Sequence, residues 1–243
     1  MTANGEEAHM ILLDVPGITN LRDVGGMPAG ASRIREGVLF RSGNLAHVGP
    51  EAHSFLTEQV ARVVDLRDDS EASAEPCALP GLRIDRVPLF AGSVASFLMG
   101  DVSLTGLYRH IVEDGADRIV QVIRILSEGE PTLVHCTLGK DRTGVSVALA
   151  LAAVGADREA IVDDYALTAS QLPESRNRAI AKWLEERLPI AHDAIAVATQ
   201  SPAPVMRDLL KSIDERHGSA ADYLLGAGLR RAELDALGAA LVG

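Results

Sequence analysis

Aromatic residues are scarce: Phe, Trp and Tyr together make up 3% of the 243 residues. The core must therefore be filled by Leu, Val, Ile and Ala, which supply most of the 47% hydrophobic content. Cysteine is rarer still. Cys77 and Cys136 are the two in the chain, too few for a disulfide framework and without zinc-ligand spacing. Cys77 lies in a Pro- and Ala-rich turn and reads as an incidental thiol. Positive charge is in deficit, with 23 Lys and Arg against 34 Asp and Glu, a net charge of −11. That balance argues against a nucleic-acid binder and against broad attraction to an anionic membrane. It leaves an anionic substrate open, because a local cradle outweighs distant, screened charge. No apolar run reaches membrane-span length; Gly144 to Gly155, the most apolar stretch, is too short. Met1 to Ala8 is acidic with no basic leader, and Met10 to Leu13 is too short for a signal core. The expectation is a cytoplasmic protein, although export without a leader would leave no trace in the sequence. Linkers, repeats and low-complexity tracts are also missing, so residues 1–243 read as a single domain.

What is present is concentrated in Pro131-Thr-Leu-Val-His-Cys-Thr-Leu-Gly-Lys-Asp-Arg-Thr-Gly-Val145. Thr132 to Val134 is a short β-branched and apolar run, a buried strand by composition. Five residues separate Cys136 from Arg142 in a tight loop. From Arg142 to about Ala153 the chain is mostly Ala, Leu and Val, a buried helix. A strand, a tight loop and a helix start make an anion cradle, because the first N–H groups of a helix lack intrahelical partners and carry partial positive charge. Gly139 gives the loop freedom to turn, Arg142 offers a planar fork for two phosphate oxygens, and Lys140 adds a second cation. Helix N-termini and neighbouring cations favour the thiolate form of a cysteine, which is the nucleophile. Thr143 is placed to donate to the sulfur. An inert cysteine in a capping turn would leave Lys140 and Arg142 beside Gly139 unexplained.

His135-Cys136-x-x-Gly139-Lys140-Asp141-Arg142-Thr143-Gly144 resembles the phosphate-binding loop of the cysteine-dependent protein tyrosine phosphatase superfamily. The Lys-Asp pair within it is similar to the bacterial branch of tyrosine/serine and phosphoinositide phosphatases, and a loop lysine also resembles the inositol-lipid enzymes. The resemblance implies an α/β fold, a mixed central sheet flanked by helices, with no metal or organic cofactor and a helical lid over the site. It implies a phosphorylated protein or a phosphoinositide as partner, and it leaves the oligomeric state open.

Along the chain, Met1 to His9 reads as a frayed tail. Ile18 to Gly26 carries a Gly pair after an alternating segment, a turn, and resembles the element that opens the bacterial branch. Arg22 and Asp23 there are either substrate-side residues or a pair fixing a loop, the second being favoured. Gly37 to Gly43 is a short strand whose Arg41 either lines the rim or braces the loop. Pro50 starts a helix through Gln59. Ala61 to Asp69 is a buried strand turning polar at its end, where α/β sheets place ligands. Asp65, Arg67 and Asp68 are thus site candidates, with a strand-end charge network as the favoured reading, and Glu71 fits the acidic helix start of the branch. Leu82 to Leu89 reads as a strand. Residues 91–115, with four glycines and exposed-looking Phe97, Leu98 and Met99, are a candidate lid or an ordinary helical connector. Leu107 to Leu126 is helical by spacing, with Gly115 able to split it. Residues 157–243 read as a succession of helices, starting at Asp157, Pro173 and Ala203, and closing with short amphipathic ones. His192 and His217 read as surface or capping residues.

The chemistry expected is phosphomonoester hydrolysis through a phosphocysteine, with Cys136 as nucleophile and Arg142 and the loop N–H groups on the equatorial oxygens. His135, Thr137, Leu138, Gly139, Lys140 and Thr143 complete the phosphate site, His135 by orienting the loop. The resemblance makes Asp141 the first choice of general acid, with Asp68 and Asp65 as fallbacks. Two rivals use the same cradle: a thiolate enzyme of another class, such as an arsenate reductase or sulfurtransferase, and a non-catalytic phosphate-binding module. The first lacks resolving thiols beyond Cys77, and the second has no need of both Cys136 and Arg142.

Overall fold

The structure is a computed structural model that describes residues 11–89, 103–187 and 192–243. Its centre is a six-stranded mixed sheet. The strands are β1 (Ile11–Leu12), β2 (Arg22–Asp23), β5 (Leu39–Ser42), β6 (Arg62–Asp65), β7 (Arg83–Arg86) and β8 (Thr132–His135), in the order β1-β2-β5-β8-β6-β7. Strands β3 (Pro28–Ala29) and β4 (Ser32–Arg33) form a separate small hairpin. Four central strands run parallel, while β1 and β2 add an antiparallel edge.

The two faces of the sheet follow from the period of two along its strands. Leu39, Val64 and Val134 point into the main core. Phe40, Val63 and Leu133 point the other way, into a smaller core under α1 (Pro50–Gln59). The main core is covered by α3 (Leu104–Asp114), α4 (Ala116–Leu126), α5 (Asp141–Ala153), α6 (Arg158–Gln171), α9 (Ala203–His217), α10 (Ala220–Gly226) and α11 (Arg231–Leu241). Helix α5 is buried from Arg142 to Leu151, which explains why its sequence has no polar face. A third, small cluster joins α7 (Glu174–Arg187) to α8 (His192–Thr199) through Leu184, Ala194 and Ala198. The remaining helix, α2 (Asp69–Ala74), follows β6 directly.

Residues Ser42, His135 and Asp65 are in register at the carboxyl ends of β5, β8 and β6. The loops that leave these three strands therefore meet at one edge of the sheet, which is where parallel sheets open a crevice.

Several expectations are sharpened. The helix spanning Leu107 to Leu126 is two helices divided at Gly115, whose N–H closes α3 on Ile111 O at 3.1 Å. The strand read over Leu82 to Leu89 is shorter, Arg83–Arg86. The stretch 91–115, read as a lid or an ordinary helical connector, is seen only in part. Residues 91–102, including Phe97, Leu98 and Met99, lie outside the described residues. The described part is α3, whose Leu104, Leu107, Tyr108, Ile111 and Val112 are built into the main core. Helix α8 was not expected, because its Ala-rich turn carries no start signal beyond His192.

Candidate active site

The loop from Cys136 to Lys140 links β8 to α5, and its shape is set by what holds its carbonyls. Asn44 N–H donates to Thr137 O at 3.0 Å, and Asn20 Nδ2 to Leu138 O at 3.0 Å and Gly139 O at 3.1 Å. Arg41 Nη2 donates to Gly139 O at 2.8 Å. Among the described residues all peptides are trans, so each N–H points opposite to its carbonyl. Tying three successive carbonyls to the scaffold thus turns the N–H groups of Leu138, Gly139 and Lys140 inward, beside Cys136. Gly139 is required: its φ is +67°, and a Cβ would sit 2.2 Å from Ser42 O.

Beneath the loop lies a buried ionic network. Arg22 Nε donates to Asp164 Oδ1 at 2.6 Å, and Nη2 donates to Asp164 O at 2.8 Å and Thr168 Oγ1 at 3.1 Å. Arg22 Nη1 also donates to Asn20 O and Oδ1, while Arg41 Nη1 donates to Asp164 Oδ2. Burial pulls Arg22 down to about 10, helped by the charge of Arg41 and resisted by Asp164. Burial alone would raise the Asp164 carboxyl, but Arg41 and then Arg22 outweigh it and hold it below the usual carboxylate range. Arg22 and Arg41 are therefore internal braces, 0% and 1% exposed. Arg22 pairs with Asp164 of α6, not with Asp23. Asp23 instead accepts the backbone N–H groups of Gly25 and Gly37.

Over the loop, Arg142 is gripped by Glu71 of α2. Nη1 donates to Oε2 at 2.5 Å and Nη2 to Oε1 at 2.8 Å, with Nη2 also reaching Thr137 Oγ1 at 3.2 Å. Thr137 Oγ1 donates to Glu71 Oε1 at 2.5 Å. Burial would raise the Glu71 carboxyl, yet the bonds and charge of Arg142 pull it down to about 2. The same pairing overcomes burial to push Arg142 up. Glu71 is fixed in turn by a capping box: Asp68 Oδ1 accepts its N–H at 2.8 Å, and Glu71 Oε2 accepts Asp68 N–H at 3.0 Å.

The strand-end charges form a framework beside this pair. Arg67 donates to Asp65 through Nε at 2.9 Å and Nη2 at 2.7 Å, and its Nη1 reaches Asn44 Oδ1 and Glu75 O. His135 is fully buried, with Nδ1 donating to Cys136 O at 3.3 Å. Burial pulls it down to about 4, against the raising effect of Asp65, so it is neutral at ordinary pH. Thr143 Oγ1 is buried and has no hydrogen-bond partner among the described residues, so the expected bond to Cys136 is not formed.

Lys140 is 0% exposed and donates to Asp141 Oδ1 at 2.6 Å, so it faces the Asp141 carboxyl rather than open solvent. Tyr108 of α3 donates to the same oxygen at 2.8 Å. The loop thus brings Cys136, Thr137, Leu138, Gly139, Lys140, Asp141 and Arg142 together. Asp65, Arg67 and Asp68 stand at the strand end as brace and cap, and Arg22 and Arg41 lie below. The sequence reading did not single out Asn20, Tyr108, Asp164 and Tyr165, and it gave Glu71 only the acidic start of a helix. Asn20 had a local signal in its residue type, since Asn is among the few non-glycine residues that take the left-handed conformation, and its φ is +58°. The others carry none, because their partners are distant in sequence. Among the described residues, no cluster of His, Cys, Asp or Glu could hold a metal ion, and no helix is long and apolar enough to cross a membrane.

Comparison with known proteins agrees with this loop. The triple specificity protein phosphatase PtpB of Mycobacterium tuberculosis is 29% identical over 281 aligned positions, covering 96% of this chain and all of that one. A candidate tyrosine-protein phosphatase of Cupriavidus necator is 29% identical over 240 positions, covering 93% of this chain and 86% of the other. The crystal structure of Pseudomonas aeruginosa TpbA is a looser likeness, with a TM-score of 0.42 and 20% identity over 80% of this chain and 98% of that one. The pattern of the tyrosine phosphatase family matches residues 13–243, and with Cys136, Arg142 and their loop inside that span, the chain belongs to the tyrosine phosphatase family.

Proposed function

We propose that this phosphatase works through a phosphocysteine at Cys136, on phosphotyrosine first and on other phosphomonoesters beside it. What supports this reading is the loop: three carbonyls are tied to the scaffold, which turns the N–H groups opposite them the other way, and the loop runs from one cysteine to an arginine held in place by Glu71. The Cys136 thiolate attacks phosphorus while the bond from phosphorus to the ester oxygen breaks. The inward N–H groups and Arg142 hold the equatorial oxygens, where charge redistributes in the transition state. Asp141 gives its proton to the departing oxygen. Water then attacks the phosphocysteine, its proton returns to Asp141, the bond to sulfur breaks, and phosphate and the thiolate are regenerated. His135, buried and neutral, holds the Cys136 carbonyl and moves no proton.

The mycobacterial relative is named for triple specificity. We extend that breadth to this chain: phosphoserine or an inositol phosphate is accepted along with phosphotyrosine. The deciding experiment is rapid acid quench with phosphorus-labelled phosphotyrosine peptide. Wild type should trap label on a cysteine. Cys136→Ser should trap none, turn nothing over, and still bind phosphate or vanadate, because oxygen keeps the cradle but does not ionise there. Turnover by Cys136→Ser, or wild-type label on another residue, removes Cys136 as nucleophile.

A further inference from the structure

Asp141 is held at one oxygen only. Oδ1 accepts from Lys140 Nζ at 2.6 Å and from the Tyr108 hydroxyl at 2.8 Å, whereas Oδ2 has no hydrogen-bond partner among the described residues. The Tyr108 hydroxyl oxygen is also 2.6 Å from the Tyr165 hydroxyl oxygen. Each hydroxyl carries a single hydrogen. Tyr108 commits its hydrogen to Asp141, so Tyr165 must donate to Tyr108, and the chain runs in one direction from Tyr165 through Tyr108 to Asp141.

The anchor is rigid. Both tyrosines are buried, 1% and 0% exposed, with rings edge to face at a centroid distance of 5.9 Å. Burial, reinforced by the nearby Asp141 charge, pushes both phenols up, so they remain donors across the working range. Tyr108 is set by α3 in the main core, and Tyr165 by α6. The Tyr165 ring also lies against α5, where a Cβ on Gly144 would come within 3.2 Å of its Cδ2. Three helices thus fix the point at which Oδ1 sits.

We infer that Tyr108, backed by Tyr165, is a positioning residue for leaving-group protonation: it pins Oδ1 of Asp141 and leaves Oδ2 as the oxygen that carries the transferable proton. This rests on Asp141 being the acid. In the step itself the proton on Oδ2 passes to the ester oxygen as its bond to phosphorus breaks. The carboxylate left behind keeps its two donors at Oδ1.

The test is kcat/KM over aryl phosphates from 4-nitrophenyl to phenyl phosphate, for wild type, Tyr108→Phe, Asp141→Asn and the double variant. Phenylalanine keeps the ring and its packing and removes one hydroxyl. Tyr108→Phe should lose about tenfold on phenyl phosphate and less than about twofold on 4-nitrophenyl phosphate, whose leaving group needs little help. The double variant should match Asp141→Asn. A uniform loss across the series, or losses that multiply in the double variant, overturns the assignment of Tyr108. If Asp141→Asn itself shows no leaving-group dependence, the acid assignment falls and the Tyr108 inference with it, while Cys136 and Arg142 stand on the trapping experiment.

Discussion

In the proposed mechanism Arg142 meets two partners of the same chemistry, a carboxylate in the free enzyme and a phosphate during turnover. Glu71 holds Nη1 and Nη2 at 2.5 and 2.8 Å, so the guanidinium plane is set before substrate arrives. Pre-setting a fork is worth more for arginine than for lysine, whose ammonium has no plane to set. Arg142→Lys should therefore lose about a hundredfold or more in kcat with aryl phosphates, although its charge is kept. Wild-type kinetics in that variant would sink the cradle reading. Glu71→Gln keeps the shape and removes the counter-charge. It should weaken the grip on Arg142 and lower kcat about tenfold, with KM for a small aryl phosphate little changed. A raised KM at constant kcat would instead make Glu71 a substrate contact. At this scale the sequence was readable where chemistry is contiguous: Cys136, Gly139, Asp141 and Arg142 stand within one motif. Glu71 was not readable as a partner of Arg142, because only folding brings α2 over the loop. Lys140 was read as a second cation of the loop that sets substrate range, with a greater loss on inositol lipids than on peptides expected of Lys140→Ala. Its burial against Asp141 makes a comparable loss on lipid and peptide substrates the expected result of Lys140→Ala.

Among elements, α6 carries more of the site than its sequence announces. Asp164 lies between two arginines from β2 and β5, and these in turn hold the loop at Asn20 and Gly139. The pairing of Arg22 with a carboxylate was foreseen, but the neighbouring Asp23 offered itself in the sequence and the true partner comes from a helix beyond the loop. Strand geometry explains why. Arg22 and Asp23 are consecutive strand residues and point to opposite faces, so they cannot form a close pair. Asp164→Asn leaves two buried guanidiniums without a counter-charge, a class of change that costs about 3–5 kcal/mol. The urea midpoint should fall accordingly, and phosphate should bind more weakly because the loop carbonyls lose their tie. The double variant Arg41→Met with Asp164→Asn should recover part of the midpoint, since it removes one of the uncompensated charges. An Asp164→Asn variant of unchanged midpoint and phosphate affinity would show that Asn20 and Asn44 hold the loop unaided.

For the whole molecule, the fold class came from the resemblance carried by the Cys136 loop, while individual elements followed from local signals: apolar strands ending in polar turns, helices with caps, and the break at Gly115. The sheet order and the division into two cores rest on long-range pairings such as Ser42 with His135 and Asp65 with His135, which no local pattern encodes. One consequence of that packing is a pH dependence of stability. His135 sits at the centre of the sheet, facing Asp65, Arg67 and Arg142, and burial is the dominant effect, holding it at about 4 against an ordinary value of 6.5. Above pH 6.5 it is neutral in both folded and unfolded chains and contributes no pH dependence. As pH falls below 6.5 the unfolded chain takes up a proton that the folded one refuses, so stability declines. The decline ends near pH 4, where the folded form protonates too, and amounts to about 3 kcal/mol from this one residue. Glu71, held at about 2, acts in the same sense lower down: its pairing is intact above its ordinary value of 4.5 and is lost as pH falls toward 2. The two windows overlap only between about pH 4 and 4.5. Urea midpoints measured from pH 7.5 to 4 should fall more steeply for wild type than for His135→Asn, so that the two curves, once aligned at neutral pH, draw apart toward the acid end. Parallel curves across that range would mean that His135 accepts its proton in the folded state as readily as in the unfolded one, and that the fully buried ring beside Asp65 is not held neutral.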